Sequence, residues 1–488
     1  MTWRVITRRH AAGEWSYLMG TEVWILGGTG RSGHAIAAEL ASQGVSPVLV
    51  GRDAARLTEA AARAGQGRTV VADSVEAMAA QIRRQQPAVV INTIGPFTQT
   101  AAPIATACLQ AGHYVDLAND LAAVSVLLAM TAAAATAGRT LVTGAGFGVT
   151  ATESVVVRLC QDRPGPDRVR VDMVPSLEME AGAIGEALAG TILDGLPGVD
   201  GGGRYDGRCY ADGRLVRSRI GGDAIRLTLP DGSQVTTASI PLGELMAAQR
   251  ASGAPSVVAA SSEAPASPAV RAVLPLATAL LAIGPVRAFA KRRLAAVKFK
   301  ARERPREHSW GHARLQWADG STAEGWLRVG EAQAFTGAVP AEVARRLLAG
   351  AGKPGAYTPA ALFGPSLAEA CGGEYLIGDL CRRPGLACRG PGLTEAQADD
   401  FCYPAGHEGG DAVEQQLRRV QRQDREAVRH SLEQLQVHRH AGGGRLAGEA
   451  DGVVTQHFGV PARDQQRRQA RAVAGQRRLR RGGRVGGA

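Results

Sequence analysis

Seven cysteines are spread over 488 residues with no C-x-x-C pair and no tight cluster. This excludes a disulfide scaffold and a zinc ribbon and fits a reducing cytoplasm. Lysine is scarcer still: only Lys291, Lys298, Lys300 and Lys353 occur, so the first 290 residues have none. The longest strongly apolar run, Ala272 to Val286, contains two prolines. It is shorter than the roughly 20 residues that span a bilayer, and no transmembrane helix is expected. Acidic residues are also few, giving a net charge of +11, but that surplus is unevenly placed. From Cys381 onward there are 19 arginines and no lysine against 12 acids, a net +7, which leaves +4 for the first 380 residues. The Arg-rich stretch Arg467 to Arg484 has no aromatic residue on which bases could stack, so a nucleic-acid partner is not expected.

What is present is a chain long enough for about three domains by the length prior, with 45% apolar residues to build cores. Residues 1–19 read as a non-native or disordered leader, with translation expected to begin at Met19. From Glu22 short β-branched runs alternate with helical stretches. Strands are expected at Val23 to Leu26, Pro47 to Val50, Thr69 to Val71, Ala88 to Thr93, Tyr114 to Leu117 and Thr140 to Thr143. Five helices lie between them, near Gly33 to Gln43, Ala54 to Ala64, Val75 to Gln85, Thr100 to Ala111 and Leu121 to Ala137. This is the pattern of an α/β doubly wound parallel Rossmann sheet over residues 20–150.

Residues 151–380 read as an α+β domain with an antiparallel sheet. Its strands are expected at Arg168 to Val174, Ile225 to Leu229, Gln234 to Ile240, His312 to Trp317 and Thr322 to Val329. Its helices are expected near Ala151, at Ala183 to Leu196 and at Pro340 to Leu348, with Ser252 to Pro268 as an exposed loop. Residues 381–488 read as a low-order Arg/Gly-rich tail with one candidate helix, Val413 to Val437, and a composition that a reading-frame shift near Leu380 would produce.

Candidate chemistry begins at Gly27-Gly28-Thr29-Gly30-Arg31-Ser32-Gly33, between the strand VWIL and a helix. Gly27 permits a tight turn, Gly30 lets the backbone approach a pyrophosphate, and Gly33 lets the helix pack on the sheet. The helix N-terminus then offers N–H donors to the phosphates. At the end of the second strand an NAD site would carry a carboxylate for the ribose hydroxyls; here Gly51 stands there, followed by Arg52. That favours NADP(H) over NAD(H), with the guanidinium on the 2′-phosphate. Arg52 read blandly is a solvated cation, and Asp53 a helix cap. Asp73, after the third strand, either meets the adenine or caps its own helix. The fourth strand ends in Asn92-Thr93-Ile94-Gly95-Pro96, donors and a small residue suited to the nicotinamide side. The fifth brings Tyr114 and Asp116 to the same rim as candidate catalytic residues, with Asp116 either exchanging a proton through water or serving as a cap or internal ion pair.

GGTGRSG, NTIGPF, AGHYVDLAND, GAGFGVTATE and GAYTPAALFGPSLAEA together resemble the saccharopine dehydrogenase-like oxidoreductases over about Glu22 to Asp379. The resemblance implies an NAD(P)-binding domain followed by a substrate and dimerisation domain, with hydride transfer at the cleft between them. The implied substrate is a small molecule or an acyl-carrier-linked group: an imine, as in lysine and polyamine metabolism, or an enoyl or carbonyl group, as for trans-acting enoyl reductases of lipid assembly. Where the family often follows YVDL with Gly-Glu, this chain has Ala118-Asn119-Asp120. The lysine-free first 290 residues exclude the lysine and histidine pair of fungal saccharopine dehydrogenases, the Tyr-x-x-x-Lys pair of short-chain dehydrogenases and a Walker lysine. Orientation alone, worth roughly 7 to 11 kcal/mol, would then carry most of the catalysis.

In the second domain Glu178, Glu180, His308 and His312 either meet substrate or are solvated. The apolar run near Leu280, followed by Lys291-Arg292-Arg293, is either a buried helix with a basic end or a peripheral membrane or acyl-chain contact. A catalytically silent NADP-binding sensor remains the alternative class.

Overall fold

The computed structural model describes residues 22–65, 67–178, 182–183, 207–265, 280–281, 283–299 and 303–378. The expected leader, the tail with its helix at 413–437, Glu180 and most of the helix at 183–196 lie outside these residues.

The first layer follows from strands buried on both faces, as parallel strands sandwiched by helices must be. β1 (Val23–Leu26), β2 (Val48–Gly51), β4 (Val89–Asn92) and β6 (Thr140–Val142) are buried throughout, with β3 (Thr69–Val71) and β5 (His113–Asp116) completing the six expected strands. Between them run α1 (Arg31–Ser42), α2 (Ala54–Arg63), α3 (Val75–Gln85) and α4 (Phe97–Leu109). The helix expected from Leu121 to Ala137 is two, α5 (Leu121–Ala129) and α6 (Thr131–Thr136), meeting at Met130. All pairings in this sheet are parallel, with β1 flanked by β2 and β4, so chain order reverses beside β1. That reversal opens a crevice at the carboxyl ends of β1 and β4.

α7 (Phe147–Cys160) leaves the same edge and is buried along most of its length. Among the described residues it packs beneath a second sheet of nine strands. There β7 (Arg168–Val174) is central. The short β8 (Gly182–Ala183) stands apart, and β9 (Gly207–Ala211) and β10 (Arg214–Ser218) form a hairpin. β11 (Ile225–Thr228) and β12 (Gln234–Ser239) form the expected hairpin, followed by α8 (Gly243–Ser252). β13 (Ser256–Ser261) pairs parallel with β7, with Ala259 opposite Val171. This corrects the expectation of an exposed loop at Ser252 to Pro268. Val257, Val258, Ala259 and Ala260 are all buried, and a strand covered on both faces shows no alternation. Its small residues only look like loop composition.

α9 (Gly284–Ala295) buries none of its residues, against the buried-helix reading for this basic end of the segment, while residues 272–279 of the apolar run lie outside the described residues; β14 (Lys298–Phe299) then pairs with β8. β15 (Ser309–Gln316) and β16 (Thr322–Val329) form the second expected hairpin, with β15 antiparallel to β7. α10 (Ala332–Leu348) returns to the first layer and packs against α1. After it, β17 (Gly355–Tyr357) adds a seventh strand to the parallel sheet beside β6. α11 (Pro359–Phe363), α12 (Ser366–Ala370) and β18 (Glu374–Ile377) close the described chain. The fold is therefore a Rossmann-like parallel sheet followed by a mixed second sheet, the two joined by α7 and by the return of α10 and β17. Among the described residues no helix is long and apolar enough to cross a membrane, and no cluster could hold a metal ion.

Candidate functional site

The glycine-rich turn has the geometry that its spacing suggests. Gly27 has φ +80°, and a Cβ there would lie 2.5 Å from the Thr93 hydroxyl. A Cβ on Gly33 would lie 2.4 Å from the Gly27 carbonyl oxygen, so only glycine lets α1 sit this close to the strand end. The Gly27 and Gly28 amides both donate to the Val50 carbonyl, at 2.9 and 3.2 Å, pinning the turn to β2. Gly28 is buried, Thr29 and Ser32 are half-buried, and Gly30 and Arg31 are exposed. Gly30 is the N-cap of α1 and supplies no side-chain acceptor. By contrast α2, α3, α5 and α10 are each capped by their own side chain, from Asp53, Ser74, Asp120 and Glu331. An uncapped first turn behind an exposed glycine leaves its N–H groups to water or to an anion.

At the end of β2, Gly51 is buried and Arg52 is exposed beside it. Asp53 accepts from the Arg56 amide at 3.1 Å, the capping alternative. Asp73 is exposed after β3; the cap of α3 is Ser74.

The tips of β4, β5 and β6 form one buried network. Asn92 donates to the Thr100 hydroxyl and the Tyr114 hydroxyl, both at 3.2 Å, and accepts from the Ile94 amide at 3.0 Å. Thr93 donates to the Leu26 carbonyl at 2.8 Å, tying β4 to β1. Ile94, Gly95 and Pro96 are half-buried at the rim, and the Gly95–Pro96 peptide is cis. Tyr114 donates to Asp116 Oδ2 at 2.9 Å. Asp116 Oδ1 accepts from the Ala118 amide, the Thr143 hydroxyl and the Gly144 amide at 2.9 to 3.0 Å. Both residues are 0% exposed. Burial pushes the Asp116 carboxyl up to about 6 against these four hydrogen bonds, and burial also raises the Tyr114 phenol well above its usual value. As placed, Asn92, Tyr114 and Asp116 spend their polar atoms on one another, on Thr100 of α4 and on the loops after β4, β5 and β6.

Four residues at this rim escaped sequence reasoning. Gln333, in the first turn of α10, donates to Ser32 at 3.1 Å, and Thr336 accepts from the Phe147 amide at 3.1 Å. Glu153 on α7 accepts from the Thr358 hydroxyl and the Ala360 and Ala361 amides, capping α11. Glu244 in the first turn of α8 faces Asn119, whose amide, turned to donate, reaches both carboxylate oxygens at 2.8 and 3.2 Å. A Cβ on Gly148 would fall 2.0 Å from Glu244 Oε1, so the carboxyl fills space that this glycine vacates. Burial pushes both Glu153 and Glu244 up to about 7. Only Glu153 had a signal: it lies in the GVTATE segment and holds the start of TPAALF. Glu178 is exposed, whereas His312 is buried in the second sheet, opposite Asp172 in register.

No family model matches the chain, and no curated protein matches it. Among solved structures it is similar to apo histidine-tagged saccharopine dehydrogenase (L-Glu forming) from Saccharomyces cerevisiae, at 12% identity and a TM-score of 0.49, over 74% of this chain and 100% of that one. It is also similar to BdcA in complex with NADPH, at 15% identity and a TM-score of 0.23, over 26% of this chain and 69% of that one. NAD+-bound xylitol dehydrogenase gives 15% identity and a TM-score of 0.21, over 26% of this chain and 70% of that one.

Proposed function

We propose that this chain is an NAD(P)-dependent oxidoreductase of the saccharopine dehydrogenase-like kind, with NADP(H) preferred over NAD(H). Its substrate would be an imine, or an enoyl or carbonyl group, on a small or carrier-linked molecule held between the two sheets. The supporting observation is the glycine turn: Gly27 in a left-handed conformation, Gly30 exposed, and α1 opening without a side-chain cap at the reversal of the sheet. Those residues fit a dinucleotide's pyrophosphate, and Gly51 followed by exposed Arg52 suits a ribose 2′-phosphate.

When bound, the nicotinamide would supply or accept a hydride. The chain's own residues orient and enclose. Thr93, Ile94 and Gly95 would border the ring, and Gln333, which donates to Ser32, would steady it where the phosphates bind. Tyr114 and Asp116 take a positioning role in place of the catalytic one their sequence suggested, because their hydrogen bonds set the shape of the strand tips.

The test is a fluorescence titration with NADPH and NADH. NADPH is expected to bind tighter, and Arg52→Asp to reverse the order, with a charge-assisted contact of about 1.5 to 3 kcal/mol making the change about tenfold or more. Equal affinities in the parent would remove the NADP(H) preference, and no saturable binding of either would remove the enzyme reading. Saturable binding without turnover of any imine or enoyl thioester would leave a silent sensor.

A further inference from the structure

Between Glu263 and Glu303 the sequence has eight basic residues and no acid, a net +8. The first 380 residues carry +4 in all, so the remainder of that stretch carries −4. One segment therefore holds the positive charge of an otherwise slightly acidic body. Within it lies α9, none of whose residues is buried. Ile283, Val286 and Phe289 are 51%, 38% and 56% exposed, and Leu280 just before them is 47% exposed. Their spacing of three puts neighbouring members on adjoining parts of one helix face. The Arg293 guanidinium lies 5.3 Å from the centre of the Phe289 ring, placing a cation directly beside the apolar row.

Single exposed apolar side chains are ordinary, but a row of them beside exposed Arg292 and Arg293, in a segment whose sequence contains no acid, marks a surface. Two partners are disfavoured by the same facts. A second copy docked face to face would set the cations of α9 against themselves, since a twofold interface sets a patch against itself. A nucleic acid would satisfy the cations and leave the aliphatic row without a partner. A lipid surface satisfies both. Because α9 spans only 12 residues, it is suited to lying in the interfacial plane rather than crossing it.

We propose that α9 docks this protein onto an anionic lipid surface, with Ile283, Val286 and Phe289 entering the headgroup boundary and Arg292 and Arg293 on the anionic headgroups. The site is separate from the coenzyme turn and does not depend on the function proposed above.

The test is co-sedimentation of the full chain with vesicles of phosphatidylcholine alone and of phosphatidylcholine mixed with phosphatidylglycerol. The parent is expected to pellet with the mixed vesicles and to be released by salt. A cation near such a surface is worth about a fivefold change in binding, so Arg292→Gln with Arg293→Gln should weaken it about thirtyfold. Phe289→Ser should weaken it while leaving both arginines in place. These side chains are exposed, so the variants should keep the parent's melting temperature, and a circular dichroism melt checks that. Failure of the parent to pellet would overturn the proposal. So would undiminished pelleting of the folded variants, which would assign the attraction to the Arg-rich tail, or a dimer lost in Phe289→Ser with vesicle binding unchanged.

Discussion

Each sheet buries an aspartate with no exposure to solvent, Asp116 at the rim of the parallel sheet and Asp172 in the middle of the second. Their surroundings differ in kind. Asp116 accepts four hydrogen bonds, all from neutral donors, and burial still pushes its carboxyl up to about 6. Burial opposes the charge on Asp172 too, but Arg170 and His312 beside it hold its carboxyl well below the usual range. Arg170 reaches it at 2.9 Å, His312 Nδ1 at 2.9 Å, and Thr237 donates to it at 2.6 Å. Dipoles offset part of the cost of burying a charge, whereas adjacent countercharges can exceed it. The second sheet therefore holds a fixed ion cluster, while the rim of the first holds carboxyls that titrate close to neutrality.

Removing the countercharge breaks this contrast with the largest effect. Arg170→Met leaves Asp172 buried with His312 and Thr237 alone, and stranding one member of a buried pair costs about 3 to 5 kcal/mol. Urea denaturation at neutral pH checks it. A loss below about 1 kcal/mol would mean that water reaches Asp172 and that the two sheets are alike. The cluster also sets a pH window. His312, raised above its ordinary value by Asp172 and Glu324 against burial, contributes stability that is lost as pH rises through its folded pKa. Asp172, lowered, contributes stability that is lost only as pH falls through its own depressed value.

This ion cluster was almost illegible in the sequence, and the reason is physical. Arg170 and Asp172 share a strand face by their spacing of two, but His312 reaches them through pairing across 140 residues. The parallel sheet is the opposite case. Its six expected strands are buried runs bounded by turns, and the Gly27 to Gly33 spacing specifies its tight turn within seven residues, so local pattern is enough. Pattern failed where partners come from afar: β17 is three residues recruited from beyond residue 350, and Gln333 and Glu244 reach the rim from helices with no motif. It also failed at β13, where Val257 to Ala260 are small and doubly buried. The run near Leu280 was legible as apolar and basic, with burial and a peripheral surface contact left as alternatives.

Glu244 sharpens the comparison at intermediate cost. Its carboxyl is pushed up to about 7 from an ordinary 4.5, chiefly by burial, so folding favours the protonated form. Its contribution is complete below the unfolded value and is lost as pH rises through the folded one. A rise from 4.5 to about 7 corresponds to about 3 kcal/mol. Glu244→Gln keeps the shape and does not titrate, so its stability should fall less than the parent's between about pH 5 and pH 8, by about that amount. Denaturation at both pH values measures the difference. Equal slopes would mean that this carboxyl is hydrated and that the rim does not titrate as a dry site.

The smallest effect is expected at Asp116, and its dependence on pH is the informative part. In Asp116→Asn the amide oxygen can keep the bonds from Ala118, Thr143 and Gly144, but the amide nitrogen now meets the Tyr114 hydroxyl. That hydroxyl already accepts from Asn92, so its own proton loses its acceptor, at about 1 kcal/mol. A protonated carboxyl oxygen still accepts where an amide nitrogen does not, so the deficit should be present near pH 5. Toward pH 8 the parent must ionise a buried group whose pKa is about 6, and the variant escapes that penalty. The two should converge, with NADPH affinity reduced only a few-fold because the strand tips shift without losing a ligand contact. A deficit that instead grew toward pH 8 would show a favourably ionised Asp116, stabilised as strongly as Asp172, and the two sheets would no longer differ in how they bury charge.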